Sequence, residues 1–208
     1  MFFLTYIRSI LPVEPKYLRP DKGLKDIVLD LARKSLEGQT IENIGQIIAI
    51  LDVEMEELGE IKLRNPNVFF NILMETLVFR PLKNEVVIGK VESITESSVY
   101  LNIGSIDAIL PVNQISDERY KFIARRRELR GSKSKIIIRK GDWIRAKVSR
   151  VSFKVPTEIS ALVRGGIIVS APRRISPKTE INIVLRSKDR GLGLEKVLEK
   201  MRKELISM

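Results

Sequence analysis

The stretch from Glu85 to Ile115, EVVIGKVESITESSVYLNIGSIDAILPVNQI, constrains the fold more than any other part of the chain. β-Branched residues dominate it and Gly89, Gly104 and Pro111 punctuate it. It therefore reads as three short strands, Val86–Ile94, Ser98–Ile103 and Ile106–Leu110. Three such strands leave unpaired edges and need a sheet to complete them. The sequence predicts the completion at Ile136–Ile138 and Trp143–Val151, joined by a tight turn at Lys140-Gly141-Asp142, with Glu180–Leu185 as a closing strand. About five strands with one long interruption is the pattern of a small Greek-key barrel of the OB type, whose second and third strands and loops commonly carry oligonucleotides.

A chain of 208 residues has room for a second modest domain before this barrel. MFFLTYIRSILPV reads as a first strand rather than a signal peptide, because Arg8 interrupts the apolar run, no basic residue precedes it and no small-residue cleavage site follows. Asp21 is the expected N-cap of a helix whose apolar face is Leu24, Ile27, Val28, Leu31 and Ser35, with Gly38 as its left-handed terminator. Ile44–Val53 reads as a buried strand. Val68–Phe79 reads as a strand apolar on both faces, with Phe70, Ile72, Met74 and Val78 on one side and Phe69, Leu73, Leu77 and Phe79 on the other. The second face needs a cover, either the barrel or another protein chain. The polar junction Pro81–Asn84 then sets the domains at 1–81 and 82–208. Within the second, Ser116–Ser134 is expected as a basic excursion with one helical turn, and 156–172 as an insertion with a hairpin around Gly165-Gly166. The end of the chain reads as a helix with Leu194, Val197, Leu198, Met201 and Leu205 on one face. The fold class is α+β.

The chain contains no cysteine and no histidine, which removes thiolate nucleophiles, imidazole bases and the usual zinc ligands together. No cofactor, metal or catalytic residue is implied. Glu54, Glu56 and Glu57 fit a solvated turn, and Gly191-Leu192-Gly193 lacks the lysine and the strand-to-helix context of a phosphate loop. No apolar run approaches the roughly 18 residues that span a bilayer, so a soluble, cytoplasmic protein is expected.

The net charge of +11 is unevenly distributed: residues 1–80 carry −2 and residues 81–208 carry +13. Lys121, Arg125, Arg126, Arg127, Arg130, Lys133, Lys135, Arg139, Lys140, Arg145, Lys147 and Arg150 make a dense basic segment, with Tyr100, Tyr120, Phe122 and Trp143 among or near them. Cations of this density interleaved with aromatic residues point to single-stranded nucleic acid, the cations holding phosphates and the rings stacking bases.

Three blocks now resemble one family, the E-prime component of the archaeal RNA polymerase stalk and its eukaryotic Rpb-seven counterpart. Ile44–Val53 resembles its glycine-initiated central strand, and Leu77-Val78-Phe79-Arg80-Pro81 the end of its N-terminal tip domain. Gly89-Lys90-Val91, Gly104-Ser105-Ile106-Asp107, Gln114-Ile115 and Lys140-Gly141-Asp142 reproduce the spacing of its S-one-type OB barrel. The resemblance implies a mixed α/β, RNP-like tip domain with a small antiparallel sheet and one main helix, followed by the barrel. It implies a non-catalytic subunit that forms a heterodimer with the small stalk subunit, termed F, through the spare face of Val68–Phe79. It also implies docking on the core polymerase subunits through the tip, where Arg64-Asn65-Pro66 replaces the family's glycine-rich loop, and guidance of nascent RNA. Ser97-Ser98 stands where the family barrel has Phe-Gly, so Tyr100 is the remaining stacking residue, and Lys121–Arg150 becomes the expected RNA-binding segment. Two other readings fit the same residues, a free-standing RNA-binding barrel (an exosome cap or translation factor) and a structural bridge without RNA contact.

Overall fold

The computed structural model describes residues 1–18, 22–154, 168–169 and 180–206. The first sheet is built on two twelve-residue strands, β1 (Phe2–Val13) and the strand Val68–Phe79, paired antiparallel from Phe2↔Phe79 to Val13↔Val68. Along β1 the side chains of Ile7, Ser9, Leu11 and Val13 turn inward and are buried. After β1 comes helix α1 (Leu24–Leu36), which buries Ile27, Val28, Ala32 and Leu36. The predicted face is thus displaced by one residue at its end: Ser35 is exposed and its hydroxyl donates back to the Leu31 carbonyl at 2.7 Å. Gly23 occupies the N-cap position; Asp21, the expected cap, lies outside the described residues. Gly38 adopts φ 78°, as a helix terminator requires.

Strand β2 (Thr40–Ile41) leads into β3 (Gly45–Met55), then β4 (Glu60–Ile61) and β5 (Val68–Phe79); the order across the sheet is β1-β5-β3-β2. The expectation of a uniformly buried strand at Ile44–Val53 needs correction. Two register shifts against β5, between Ile47 and Ala49 and between Ile50 and Asp52, stretch the inward repeat from two residues to three. Ile47, Ile50 and Val53 consequently point inward while Leu51 is exposed. Gly45, at φ 121°, lies so close to Phe79 that a Cβ would fall 2.5 Å from its carbonyl oxygen. The inner faces of β1, β3 and β5 meet α1 in one core that includes Phe70, Ile72, Met74 and Val78.

The barrel begins at β6 (Val86–Ile94), β7 (Ser98–Asn102) and β8 (Asp107–Pro111), an antiparallel meander within a residue or so of the predicted spans. The excursion that follows is neither irregular nor helical. It forms a separate three-stranded sheet of β9 (Tyr120–Ile123), β10 (Glu128–Gly131) and β11 (Ile137–Ile138). Ile136–Ile138 therefore does not join the barrel as expected, because Ile138 pairs with Leu129 and both side chains are buried beneath this side sheet. The barrel resumes with β12 (Trp143–Lys154), antiparallel to β6. The short strand β13 (Ile168–Val169) then pairs parallel with β1, at Ser9↔Ile168 and Ile10↔Val169. The expected hairpin around Gly165-Gly166 lies outside the described residues.

Strand β14 (Glu180–Arg186) pairs parallel with β8 and also with β12, which closes the ring β6-β7-β8-β14-β12 into a five-stranded barrel. Val91, Val99, Leu101, Ala108, Leu110, Ile144, Ala146, Val148, Ile183 and Leu185 alternate along these strands and fill it. Gly191 and Gly193, both at positive φ, form the turn before β15 (Gly193–Leu194) and helix α2 (Glu195–Ile206). The molecule is α+β, an open sheet with one main helix and a closed OB-type barrel. Its two compact units are Met1–Arg80 with Phe153–Glu180, and Pro81–Ser152 with Ile181–Met208.

Candidate nucleic-acid interface

The β9–β10 hairpin turns through Ala124–Arg127, with Arg126 N–H donating to Ile123 O at 3.2 Å and Arg127 N–H to Ala124 O at 3.3 Å. This places Arg125, Arg126 and Arg127 at an exposed tip. On the strands behind them Lys121 and Arg130 are directly opposed, and both are exposed. Like charges opposed across a ladder destabilise it unless an anion lies between them. Lys133 and Lys135 follow on the loop to β11, which Glu118 holds: its carboxylate accepts the Lys133 N–H at 2.8 Å, the Ser134 N–H at 2.9 Å and the Ser134 hydroxyl. Burial raises the Glu118 pKa, but the hydrogen bonds from Ser134 and Lys133 outweigh it and leave the carboxyl below its ordinary value. A Cβ at Gly131 would lie 2.5 Å from a Glu118 oxygen, so any larger residue there would make the carboxylate shift.

Two buried carboxylates tie this sheet and the barrel strand together. Glu128, only 3% exposed, accepts the Arg139 Nε–H at 2.9 Å. Asp142 accepts the Arg139 backbone N–H at 2.8 Å and the Lys196 ammonium at 2.6 Å. Eleven cations of the predicted RNA-binding segment, from Lys121 to Lys147, thus divide. Arg126 and Arg139 face Glu128, Lys140 lies 3.9 Å from Glu92, Arg145 pairs with Glu195 at 2.8 Å and Lys147 lies 3.8 Å from Asp189. Lys121, Arg125, Arg127, Arg130, Lys133 and Lys135 form no ion pair among the described residues, and all six lie on the side sheet and its loops. Arg145 and Lys147, by contrast, lie on barrel strand β12. Tyr100 is on β7, between Ser93 and Ile109, and is not brought to the side sheet. Trp143, half exposed, stands opposite Lys90. Tyr120 donates to or accepts from Ser116 Oγ at 3.0 Å, and burial raises the pKa of its phenol.

The apolar residues assigned to the partner surface do not all lie open on the sheet. Phe69, Leu73 and Leu77 are half-buried on the outer face of the first sheet, but Phe79 is buried, its ring centroid 5.0 Å from that of Phe2. Leu4 (63% exposed) and Tyr6 (66%) on β1 extend the same face, opposite Leu77 and Glu75, and the sequence reading missed them. Alternation along β1 was the available signal. Arg64, at φ 64°, and Pro66 are exposed, and Asn65 Oδ1 accepts the Asn67 N–H at 3.0 Å. Beside them Leu58, Ile61 and Leu63 are 79–93% exposed, also unanticipated, although three apolar residues in a polar loop could have marked it. Among the described residues no group of three or more acidic side chains is placed to hold a metal, and no helix is long and apolar enough to cross a membrane.

Residues 80–155 match the S1 RNA binding domain family. The chain is 30% identical to DNA-directed RNA polymerase subunit Rpo7 of Sulfolobus acidocaldarius over 73% of this chain and 82% of that one. It is likewise 30% identical to the Rpo7 subunit of Saccharolobus shibatae over 74% and 85%. To DNA-directed RNA polymerase III subunit rpc8 of Schizosaccharomyces pombe it is 27% identical over 56% and 57%. At this identity and over this share of both chains, the chain belongs to the Rpo7 family of non-catalytic stalk subunits of DNA-directed RNA polymerase.

Proposed function

We propose that this protein pairs with the small stalk subunit through the outer face of its first sheet, docks on the core polymerase through the loop carrying Arg64, Asn65 and Pro66, and holds nascent RNA on the side sheet of its barrel unit. The RNA reading rests on one observation above the others: six exposed cations without ion pairs among the described residues lie on one small sheet and its loops. Phosphates would relieve the Lys121–Arg130 opposition, and the contact would be electrostatic and independent of sequence. Arg139, Arg145 and Lys147 act chiefly within the fold, through Glu128, Glu195 and Asp189, and Tyr100 supplies a separate stacking position. The exposed Leu4 and Tyr6, with half-buried Phe69, Leu73 and Leu77, offer the apolar area that a permanent partner covers. The site of action is the cytoplasm.

Light scattering of the isolated chain, with and without the small stalk subunit, tests the pairing. The isolated chain is expected to self-associate and to become a monodisperse heterodimer once the small partner is added. Leu4→Lys with Tyr6→Lys should keep it monomeric and abolish the heterodimer. A monomeric wild-type chain that ignores the small partner overturns this part of the reading. Pull-down of exoribonuclease subunits in place of the large polymerase subunits would favour the free-standing factor.

A further inference from the structure

Two local irregularities face one cleft. Between Val91 and Ser93 the pairing of β6 with β7 slips by one residue, so Glu92 is the extra residue of a β-bulge. Bulges re-aim a side chain, and Glu92 lines a cleft of about 560 Å³ between the β6–β7 turn and the β9–β10 hairpin. Across that cleft stands Arg127, whose φ of 48° is left-handed, a position that glycine or asparagine fills at lower cost. A residue that breaks a local backbone rule without local compensation marks a place where function has overridden foldability. Here two such residues, one anionic and one cationic, line the same space. Glu96 and Lys140 line it as well, and Phe122 contributes an aromatic ring. Lys140 Nζ lies 3.9 Å from Glu92 Oε2, within orienting distance of the carboxylate.

We propose that this cleft is a nucleotide subsite for RNA that selects guanine. The inference rests on the RNA reading above and adds to it a base preference. Phe122 stacks the base, Arg127 and Lys140 hold the adjoining phosphates, and the Glu92 or Glu96 carboxylate accepts two hydrogen bonds from the base edge. Guanine alone presents two adjacent donors on its Watson–Crick edge, N1–H and N2–H. Adenine and cytosine set an acceptor nitrogen beside their amino group, and uracil sets two carbonyls around its single donor. A carboxylate therefore attracts guanine and repels the other three. The volume suits one nucleotide.

The test is fluorescence anisotropy with the full chain and two labelled heptamers, all-uridine and uridine with one central guanosine. The guanosine oligomer is expected to bind about 5- to 150-fold more tightly, the worth of one good bidentate base contact. Glu92→Gln, Glu96→Gln or the two together should bring the ratio to about one. Both carboxylates are exposed, so these variants leave the fold intact. Phe122→Leu, which keeps apolar bulk opposite Leu129, should weaken both oligomers. All-uridine binding without any guanosine preference overturns the subsite and leaves the RNA reading standing. A preference that survives the double carboxylate variant also overturns it. Failure of both oligomers to bind overturns the RNA reading itself.

Discussion

Replacing Lys121, Arg125, Arg127 and Arg130 together by glutamine removes four of the six cations that form no ion pair among the described residues, and keeps the hairpin's length and polarity. Each phosphate neutralised on a single strand contributes about −0.7 to the slope of log K against log salt, so six contacts predict a slope of about −4.2. Raising salt from about 50 to about 200 mM should then weaken RNA binding by the wild type about 300-fold. With two contacts left the slope falls to about −1.4, and the same change costs only about sevenfold. The measurement is a salt series of equilibrium titrations with a labelled uridine oligomer, with circular dichroism to show that the side sheet persists. The control replaces Arg145 and Lys147, already paired with Glu195 and Asp189, and should change the slope much less. Equal slopes for the wild type and the fourfold variant would refute the assignment of phosphate contacts to the side sheet. A steeper effect from the Arg145 and Lys147 control would move those contacts to β12.

Arg139→Ala strips Glu128 of its closest cation and leaves a buried carboxylate, so denaturant unfolding should show a loss of about 2–3 kcal/mol, moderated by Arg126 at 3.9 Å. Glu128→Gln should cost less, because Arg139 is mostly exposed and can hydrate. Glu118 has a lowered folded pKa, so its contribution is fully present above the ordinary glutamate range of about 4.3 and is lost as pH falls through its lowered value. Amide exchange at Lys133 and Ser134 should therefore accelerate selectively under acid, and Glu118→Gln should remove that dependence. Gly104→Ala, with open space around it, should cost about 1–2 kcal/mol for its left-handed backbone, whereas Gly45→Ala must in addition displace the Phe79 carbonyl and should cost more by thermal unfolding.

Strands whose inward repeat is undisturbed were legible. β1, β5, β7 and β12 declare themselves by β-branched residues between glycine and proline punctuation, β6 does so despite its bulge at Glu92, and the order of the glycines led to the correct barrel. The failures have two causes, a local device that changed the period and a pairing that is not local. Bulges after Ile47 and Ile50 convert a two-residue repeat to three, so Ile44–Val53 looked uniformly buried. Tyr120–Ile123 and Glu128–Gly131 are too short and too charged to stand out, and their pairing depends on Leu129 meeting Ile138 seven residues beyond the hairpin, a contact that no local window contains. The basic segment was legible as charge but not as geometry. Which cations are held by Glu92, Glu128, Glu195 and Asp189 is decided by strand pairing, and that pairing separates Arg145 and Lys147 from Lys121 and Arg130.

The most direct test of the central claim places a photo-crosslinking amino acid at position 125 of this protein within assembled, transcribing polymerase, with position 100 on β7 and position 42 on the first unit as comparisons. Nascent RNA is expected to crosslink strongly from position 125, weakly from position 100 and not from position 42. Crosslinking from position 100 with none from position 125 would contradict the account and return the RNA to the open face of the barrel.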